Sequence, residues 1–235
     1  MNAVDYSIAW EHPPTRRAWA THVILNVIGL VAWAGCWVIL LGVSLQTPDW
    51  VVWLFMPYFV YGPYRVVVQL RYFPEAFKMF QVLREYPWQV LTGAARGIDE
   101  HPEAEDGGIW IEFPDPTGRS TKGIPLTFVK HHRSYWWLRR IGGPRTKQEL
   151  KRQLDCLWFA GDPRFLGVVA VPSRDGSTPR RLHFLYRPSA FDERAARRHW
   201  EDADPADLDR ARRAGARHVN DAPSALPRTS GREGG

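Results

Sequence analysis

A long uncharged stretch near the N-terminus constrains this chain more than any other feature. No Asp, Glu, Lys or Arg occurs between Arg17 and Asp49, and residues 23–45 are rich in Val, Ile, Leu, Trp and Gly. About 20 apolar residues are enough to cross the hydrocarbon core of a bilayer. A buried helix of a water-soluble protein is rarely apolar on every face over such a length. The stretch therefore predicts a transmembrane helix.

A cleaved signal peptide is the main alternative to an anchor. Its apolar region would span about 7–15 residues and end at a small-residue cleavage site. Here the apolar run is longer, and a second one, residues 50–70, follows at once. Ala34-Gly35-Cys36 is similar to a lipoprotein cleavage box, but Trp33 stands where such a box has Leu. We therefore expect the segment to be retained.

The second apolar stretch contains Pro57, Pro63 and Arg65. Membrane helices tolerate proline when neighbouring groups satisfy the freed carbonyl. Arg65 lies near one end of the stretch, so its guanidinium can extend to the lipid head groups. An anion site or an ion pair at Arg65 is the alternative. Together the two stretches predict a transmembrane hairpin within residues 21–72, with spans at about 23–45 and 50–70.

The charges that flank the two spans predict their orientation. Arg16 and Arg17 precede the first span, Arg65 and Arg71 close the second, and the connection at residues 46–49 has no Lys or Arg. Positive flanks remain on the cytoplasmic side, so we expect a multi-pass protein of the cell membrane with both termini in the cytoplasm. The predicted membrane-interface anchors are Arg16, Arg17, Trp19, Trp50, Arg65 and Arg71.

The rest of the chain consists of short strand and turn signals with helices at either end. Residues 73–86 predict an amphipathic helix that lies on the lipid surface or packs on the following domain. Six apolar or β-branched segments, separated by turn residues, predict a small β-barrel or sandwich over residues 87–187; they are residues 88–98, 109–113, 123–129, 156–160, 166–171 and 181–186. Charged helices are expected over residues 188–219 and a disordered tail over 220–235. The fold class is thus an α+β membrane protein: residues 1–20 form a cytoplasmic segment, the transmembrane hairpin follows, and then a small cytoplasmic β domain.

The segment Trp158-Phe159-Ala160-Gly161-Asp162-Pro163-Arg164-Phe165, together with Arg84-Glu85-Tyr86-Pro87-Trp88 after the anchor, supports a family comparison. It resembles the uncharacterised two-pass membrane proteins of high-GC Gram-positive bacteria. The resemblance covers roughly residues 20–187. It implies a two-helix anchor and no particular activity, because no activity is established for that group.

Charge is unevenly distributed along the predicted β domain. Residues 99–115 hold seven acidic residues and no Lys or Arg, whereas residues 130–152 hold eight basic residues and one acidic residue. Basic residues interleaved with aromatic ones suit an anionic lipid leaflet or RNA. A solvated loop with its aromatic side chains in the core is a third interpretation. Because the chain is tethered beside lipid, we favour lipid over nucleic acid despite a net charge of +6, and the residues predicted to bind lipid head groups or a protein partner are Arg133, Trp136, Trp137, Arg139 and Arg140.

No motif for catalysis, a metal or a cofactor emerges from the sequence. His131 and His132 are adjacent, and metal sites prefer other spacings. Asp115 and Asp162 each precede Pro in a turn signal, where Asp normally bonds its own backbone. Cys36 and Cys156 are expected to be free thiols.

Two classes of function remain for a chain of this kind. The first is a membrane-anchored cytoplasmic binding or scaffolding module, whose partners are the bilayer, anionic lipid head groups and an unknown protein. The alternative is a membrane-associated enzyme or a transport accessory subunit. Two spans are too few for a transport path, so transport would require a homo-oligomer.

Overall fold

Two long helices begin the fold. The computed structural model describes residues 8–101, 104–116, 118, 123–128, 134–142, 146–173, 175–187 and 203–216. After a short 3-10 turn at Ala9–Glu11 come α1 (Pro13–Ser44) and α2 (Asp49–Glu85), with 32 and 37 residues respectively. At 1.5 Å per residue they are about 48 and 55 Å long. Each is therefore longer than a bilayer core needs.

The apolar parts of α1 and α2 stand clear of the rest of the chain. Both helices are long and apolar enough to cross a membrane, and only 6% of the residues in the most apolar window of each are buried. A core helix of a soluble domain would instead be covered by protein. The expectation of two apolar helices near the N-terminus is confirmed.

The helix predicted over residues 73–86 is not separate from the second apolar stretch. α2 continues through Pro57, Pro63 and Pro74 and ends at Glu85. Its last four turns, which we call the α2 stem, pack on the domain that follows; their buried residues are Tyr72, Ala76, Met79, Val82 and Leu83. The alternative in which this helix packs on the domain is therefore the one observed, whereas Phe77 on the same helix is 58% exposed.

Seven antiparallel strands form one sheet after the stem. They are β1 (Gln89–Thr92), β2 (Arg96–His101), β3 (Ala104–Phe113), β4 (Ile124–Phe128), β5 (Cys156–Asp162), β6 (Leu166–Pro172) and β7 (Pro179–Tyr186). The segment expected to be a single strand at residues 88–98 is two strands, because the chain turns at Gly93, where φ is +69°. Two short helices, α3 (Tyr135–Ile141) and α4 (Gln148–Arg152), lie between β4 and β5.

The strand order forces the sheet to curl. It runs β1-β5-β6-β7-β4-β3-β2, so β1 and β2 are consecutive in the chain but lie at opposite edges. Seven flat strands about 4.8 Å apart would hold these edges about 29 Å apart. The chain from Thr92 to Arg96 can span at most about 14 Å. The sheet therefore bends into a half-barrel. This agrees in part with the expected small β-barrel or sandwich, because the sheet is antiparallel and curled.

Arg96 connects the two edges that the curl brings together. Its Nη1 donates to the Leu154 carbonyl at 2.6 Å, and its Nη2 donates to the Lys151 carbonyl at 2.8 Å and to Asp155 Oδ1 at 3.0 Å. These acceptors lie at the end of α4 and just before β5. The guanidinium thus joins the start of β2 to the end of α4, where the Lys151 carbonyl also accepts from the Leu154 backbone N–H at 3.0 Å.

The curled sheet is buried on both faces where β5, β6 and β7 lie. Alternate residues such as Trp158, Val168 and Phe184 enter a cluster with the α2 stem, which we call the helix-facing core. The residues between them, such as Phe159, Val169 and Leu185, enter a cluster inside the curl, which we call the sheet-interior core. Because neighbouring side chains on a strand point to opposite faces, burial of both faces explains the continuous apolar runs of β5 and β6.

The β5–β6 hairpin depends on two opposed glycines and a buried ion pair. Gly161 pairs with Gly167, and a Cβ on Gly161 would lie 2.4 Å from Gly167 Cα. The Asp162 carboxylate accepts from Arg164 Nε and Nη2 at 2.6–3.1 Å, and both residues are buried. Asp162 Oδ1 also accepts from the Arg164 backbone N–H at 2.9 Å. The expected turn role of Asp162 is therefore present, with a buried ion pair in addition.

A last helix, α5 (Pro205–Arg213), returns to the α2 stem. Asp207 Oδ2 accepts from Arg164 Nη2 at 2.6 Å, and Arg213 Nε donates to Glu85 Oε2 at 2.9 Å. Ala211 is fully buried in the helix-facing core. We expected a charged helix, either solvated or partner-binding, as far as about residue 219; the observed one ends at Arg213 and packs on the α2 stem. The helix expected at 189–203 and the tail at 220–235 lie outside the described residues, apart from Ala203.

We predict that Met79→Ala lowers the free energy of unfolding by about 2–5 kcal/mol, because it leaves a cavity in the helix-facing core. Thermal unfolding of the full chain in detergent, followed by tryptophan fluorescence, measures the change. Phe77→Ala, on the same helix but exposed, is the matched control and should have little effect. Equal effects would show that the α2 stem and the sheet do not share a core.

We predict that Asp162→Asn destabilises the protein by about 3 kcal/mol, because it leaves the Arg164 guanidinium buried with a weakened partner. Asp209→Asn removes an exposed pair with Arg212, at 3.5 Å, and should cost less than about 0.5 kcal/mol. Denaturant unfolding of both variants checks the difference. A negligible cost for Asp162→Asn would contradict a structural role for the buried pair.

Candidate functional site

A wide cleft opens between α1, α3 and the β6–β7 hairpin. Its volume is about 1550 Å³. The first turns of α1 form one wall at spacings of three and four residues, which place Arg17, Thr21 and Leu25 on a single helical face. α3 forms the second wall, and the ends of β6 and β7 form the third. The cleft therefore lies where the apolar part of α1 begins.

The walls of the cleft are strongly basic. Six lining residues are arginines and none is Asp or Glu; the arginines are Arg17, Arg139, Arg140, Arg152, Arg180 and Arg181. Across the described part of the chain, none of the six forms an ion pair with a carboxylate. A concave surface lined by one sign of charge concentrates the electrostatic field and attracts counter-ions. This surface suits an anionic ligand.

Two of these arginines lie near the ring of Trp136. The Arg140 guanidinium carbon lies 3.8 Å from the ring centroid and that of Arg181 lies 5.6 Å from it. Arg140 Nε also donates to Gln153 Oε1 at 2.7 Å, and its Nη1 donates to the Trp136 carbonyl at 3.2 Å. Burial, followed by the nearby charges of Arg181 and Arg139, lowers the pKa of Arg140. The positive charges of Arg181 and Arg139 therefore act on the Arg140 guanidinium inside the cleft.

Arg181 has an unusual backbone conformation. Its φ is +56°, the only positive value at a non-glycine residue in the described part of the chain. The left-handed region costs a residue with a Cβ about 1–2 kcal/mol. The β6–β7 register shifts at this point, between the Val169–His183 and Val171–Arg180 pairs. Such an irregularity redirects a side chain out of the regular strand alternation, and here the redirected residue is a cleft arginine.

Hydrogen bonds within the turn between β6 and β7 stabilise the hairpin that contains Arg180 and Arg181. Asp175 accepts hydrogen bonds from the hydroxyls of Ser173 and Ser177, the second at 2.6 Å. These bonds lower the pKa of Asp175 to about 2. The carboxylate therefore stays ionised at neutral pH, and its hydrogen bonds are made to serines of its own turn.

The structure brings together most of the residues predicted to bind lipid or a partner. Trp136, Arg139 and Arg140 line the cleft. Trp137 also touches it, but this side chain is only 2% exposed and packs on Phe128 in the sheet-interior core. We therefore remove Trp137 from the set of surface residues, because it can reach a ligand only at the base of the cleft. Arg133 lies outside the described residues.

The predicted interface anchors occupy different positions. Arg17 lines the cleft, whereas Arg16 and Arg71 are exposed and Trp50 is 70% exposed. Trp19 is half-buried and donates from Nε1 to the Ala76 carbonyl at 2.9 Å, so it joins α1 to the α2 stem. The Arg65 guanidinium lies over the rings of Trp33 and Tyr61, at 5.3 and 5.9 Å from their centroids.

Three cleft arginines did not emerge from the sequence as site residues. Arg152 was noted only as part of the basic stretch, and Arg180 and Arg181 follow it by nearly 30 residues. The adjacent Arg180-Arg181 pair is a visible signal. Its position beside α3 depends on the sheet order, which local patterns do not contain.

The cleft also contains residues that could in principle do chemistry. Cys156 and His183 line it, and burial raises the pKa of the Cys156 thiol. A raised pKa keeps the thiol protonated and makes it a poor nucleophile. Cys36 and Cys156 are both free. Among the described residues, no three His, Cys, Asp or Glu side chains are grouped so as to hold a metal ion.

Comparison of the chain with protein-family models, with curated proteins and with solved structures finds no match.

Proposed function

We propose that this protein is a membrane-anchored binding module that holds an anionic component of the cytoplasmic leaflet in its arginine cleft. The observation that supports this most is the cleft itself, where six arginines and no carboxylate line a single cavity. The cavity adjoins the first turns of a helix that is apolar enough to cross a membrane. Charge and location together favour a ligand found at an anionic bilayer surface.

The orientation is part of the proposal. Arg16 and Arg17 precede the apolar part of α1, Arg65 and Arg71 lie toward the end of the apolar part of α2, and residues 45–48, which connect the helices, have no Lys or Arg. The positive-inside rule then assigns the sheet domain and both termini to the cytoplasm. Leu25 lies about 12 Å along the helix axis from Arg17. In this arrangement the cleft opens at the level of the lipid head groups.

Energetics favour occupation of such a site. Each Arg near an anionic leaflet contributes about 1 kcal/mol, and the helical hairpin would hold the cleft permanently at the surface. Tethering raises the effective concentration of surface ligands, so modest intrinsic affinity is enough.

We predict that a reporter fused after residue 235 reports a cytoplasmic position. A reporter inserted within residues 46–48 should report the opposite side of the membrane, because that connection lacks positive charge. Alkaline carbonate extraction should leave the protein with the membrane fraction. A C-terminal reporter outside the cytoplasm would contradict the proposed orientation.

We predict that the double variant Arg139→Gln/Arg180→Gln binds anionic lipid about 30-fold more weakly, since each Arg contributes about 1 kcal/mol. The measurement titrates the full chain in neutral detergent with short-chain phosphatidylglycerol and with phosphatidylcholine. Binding of phosphatidylglycerol should weaken as salt increases.

The matched control for this experiment is Arg84→Gln/Arg212→Gln. Both residues are exposed and lie outside the cleft. Their substitution removes the same formal charge as the double variant in the cleft. This control should keep the affinity of the unchanged protein. Equal losses in the two double variants would show that net charge, and not the cleft, determines binding.

A further inference from the structure

We infer that the cleft is a stoichiometric site for one anionic phospholipid, with the phosphate between Arg140 and Arg181 and an acyl chain along the exposed face of α1. This inference rests on the proposed function and specifies its ligand. Diffuse attraction between a basic surface and a leaflet would need neither a cavity nor fixed arginines. The site has both.

The arginine geometry suits a phosphate group. Guanidinium groups are planar forks that bind phosphate oxygens in pairs. Arg140 is held in place by Gln153 and by the ring of Trp136, and Arg181 lies near the same ring. Two guanidinium groups lie near one ring and have no carboxylate partner in the described residues. They therefore form a preorganised site for the oxygens of a singly or doubly charged phosphate group.

The backbone at Arg181 is a second, independent observation. A positive φ is unfavourable for residues other than glycine and, to a lesser extent, Asn and Asp, yet this strand position has Arg. Strained residues persist where the surrounding structure determines them and they concentrate at functional sites. Glycine at this position would relieve the strain but would remove the guanidinium. The strained arginine is thus explained by a requirement for its charge in the cleft.

The apolar face of α1 supplies a path for the acyl chain. Arg17, Thr21 and Leu25 line the cleft from its polar end to its apolar end. The same helical face continues through Ile28 and Ala32, because residues three and four apart lie above one another. Leu25 and Ile28 are each 57% exposed, and Ala32 is also exposed. A ligand with one anionic end and one apolar end would contact both parts, whereas RNA or an acidic peptide would use only the arginines.

The decisive experiment uses the full chain in neutral detergent and native mass spectrometry. The probes are phosphatidylglycerol, phosphatidylcholine and glycerol phosphate, the last being a soluble head group without acyl chains. We expect one phosphatidylglycerol per chain, at least 10-fold weaker retention of phosphatidylcholine, and at least 10-fold weaker binding of glycerol phosphate.

The outcomes separate this inference from the proposed function. Equal affinity for glycerol phosphate and phosphatidylglycerol would overturn the acyl-chain path but leave an anion-binding cleft. Many bound lipids with no one-to-one step would overturn the stoichiometric site. Failure of every anionic probe to bind would overturn the proposed function as well. Tighter binding of an acidic peptide or RNA oligonucleotide in competition would replace the lipid by that class.

Arg181→Gly tests the head-group position with a signature that a purely structural residue would not give. We expect about 10-fold weaker retention of phosphatidylglycerol together with a melting temperature, without added lipid, that rises by about 2–4 °C because the strain is relieved. A fall in melting temperature, or unchanged lipid retention, would contradict the assigned role. Arg180→Gly, at a regular strand position, should lower the melting temperature instead.

Ala32→Trp tests the acyl-chain path. A bulky ring at this position would obstruct the exposed face of α1, so phosphatidylglycerol retention should fall several-fold while glycerol phosphate binding stays unchanged. Val27→Trp is the matched control, because Val27 is 44% exposed and is not three or four residues away from Leu25, Ile28 or Ala32. Equal effects of the two substitutions would overturn the path.

Discussion

The packing of the α2 stem on the outer face of β5, β6 and β7 is the interaction on which the rest of the structure depends. Met79, Val82 and Leu83 are fully buried there. The helix α2 therefore contains the second apolar stretch and also contributes to the core of the sheet domain. The start of α1 is fixed to the same unit, because Trp88 Nε1 donates to Thr15 Oγ1 at 2.9 Å and the Ala9 N–H donates to the Tyr86 carbonyl at 2.9 Å. The position of Arg17 relative to the sheet is therefore set by a core and not by a linker.

Curling of the sheet has a consequence for the cleft. The short connection between β1 and β2 closes the sheet towards a barrel, and Arg96 joins its two edges through α4. Inside the curl, Trp137 is held against Phe128, which fixes α3. Trp136 and Arg140, on the other side of the same short helix, are then held near the start of β7. The buried tryptophan thus positions these cleft residues without contributing a surface of its own.

Much of this fold could be predicted from the sequence, because its strongest signals are local. The two apolar stretches, the strands at residues 109–113, 124–128, 156–160 and 166–171, and the turn at Asp162 follow from hydropathy, alternation and turn residues. The join of the second apolar stretch to the α2 stem could not be predicted, because Pro74 normally marks a helix boundary. The docking of α5 was also missed: its charges indicated solvent exposure, and the small buried residue Ala211 gives little apolar signal. In the cleft, Trp136, Arg139 and Arg140 were predicted as one basic segment, whereas Arg180 and Arg181 join them only through the sheet order.

The cleft departs from what stability alone would select. Oppositely charged neighbours are the usual solution for clustered arginines, and this chain uses that solution elsewhere, in the Asp162–Arg164–Asp207 group, where Asp162 and Arg164 are buried. In the cleft the nearby carboxylates are engaged otherwise: Asp155 pairs with Arg96, and Asp175 accepts from the serines of its own turn. The arginines consequently repel one another, and this repulsion adds to burial, the larger cause, in lowering the pKa of Arg140. Arg181 also retains an unfavourable φ. A bound anion would reverse the first of these two costs, so the unliganded cleft is a surface whose electrostatic energy falls when it is occupied.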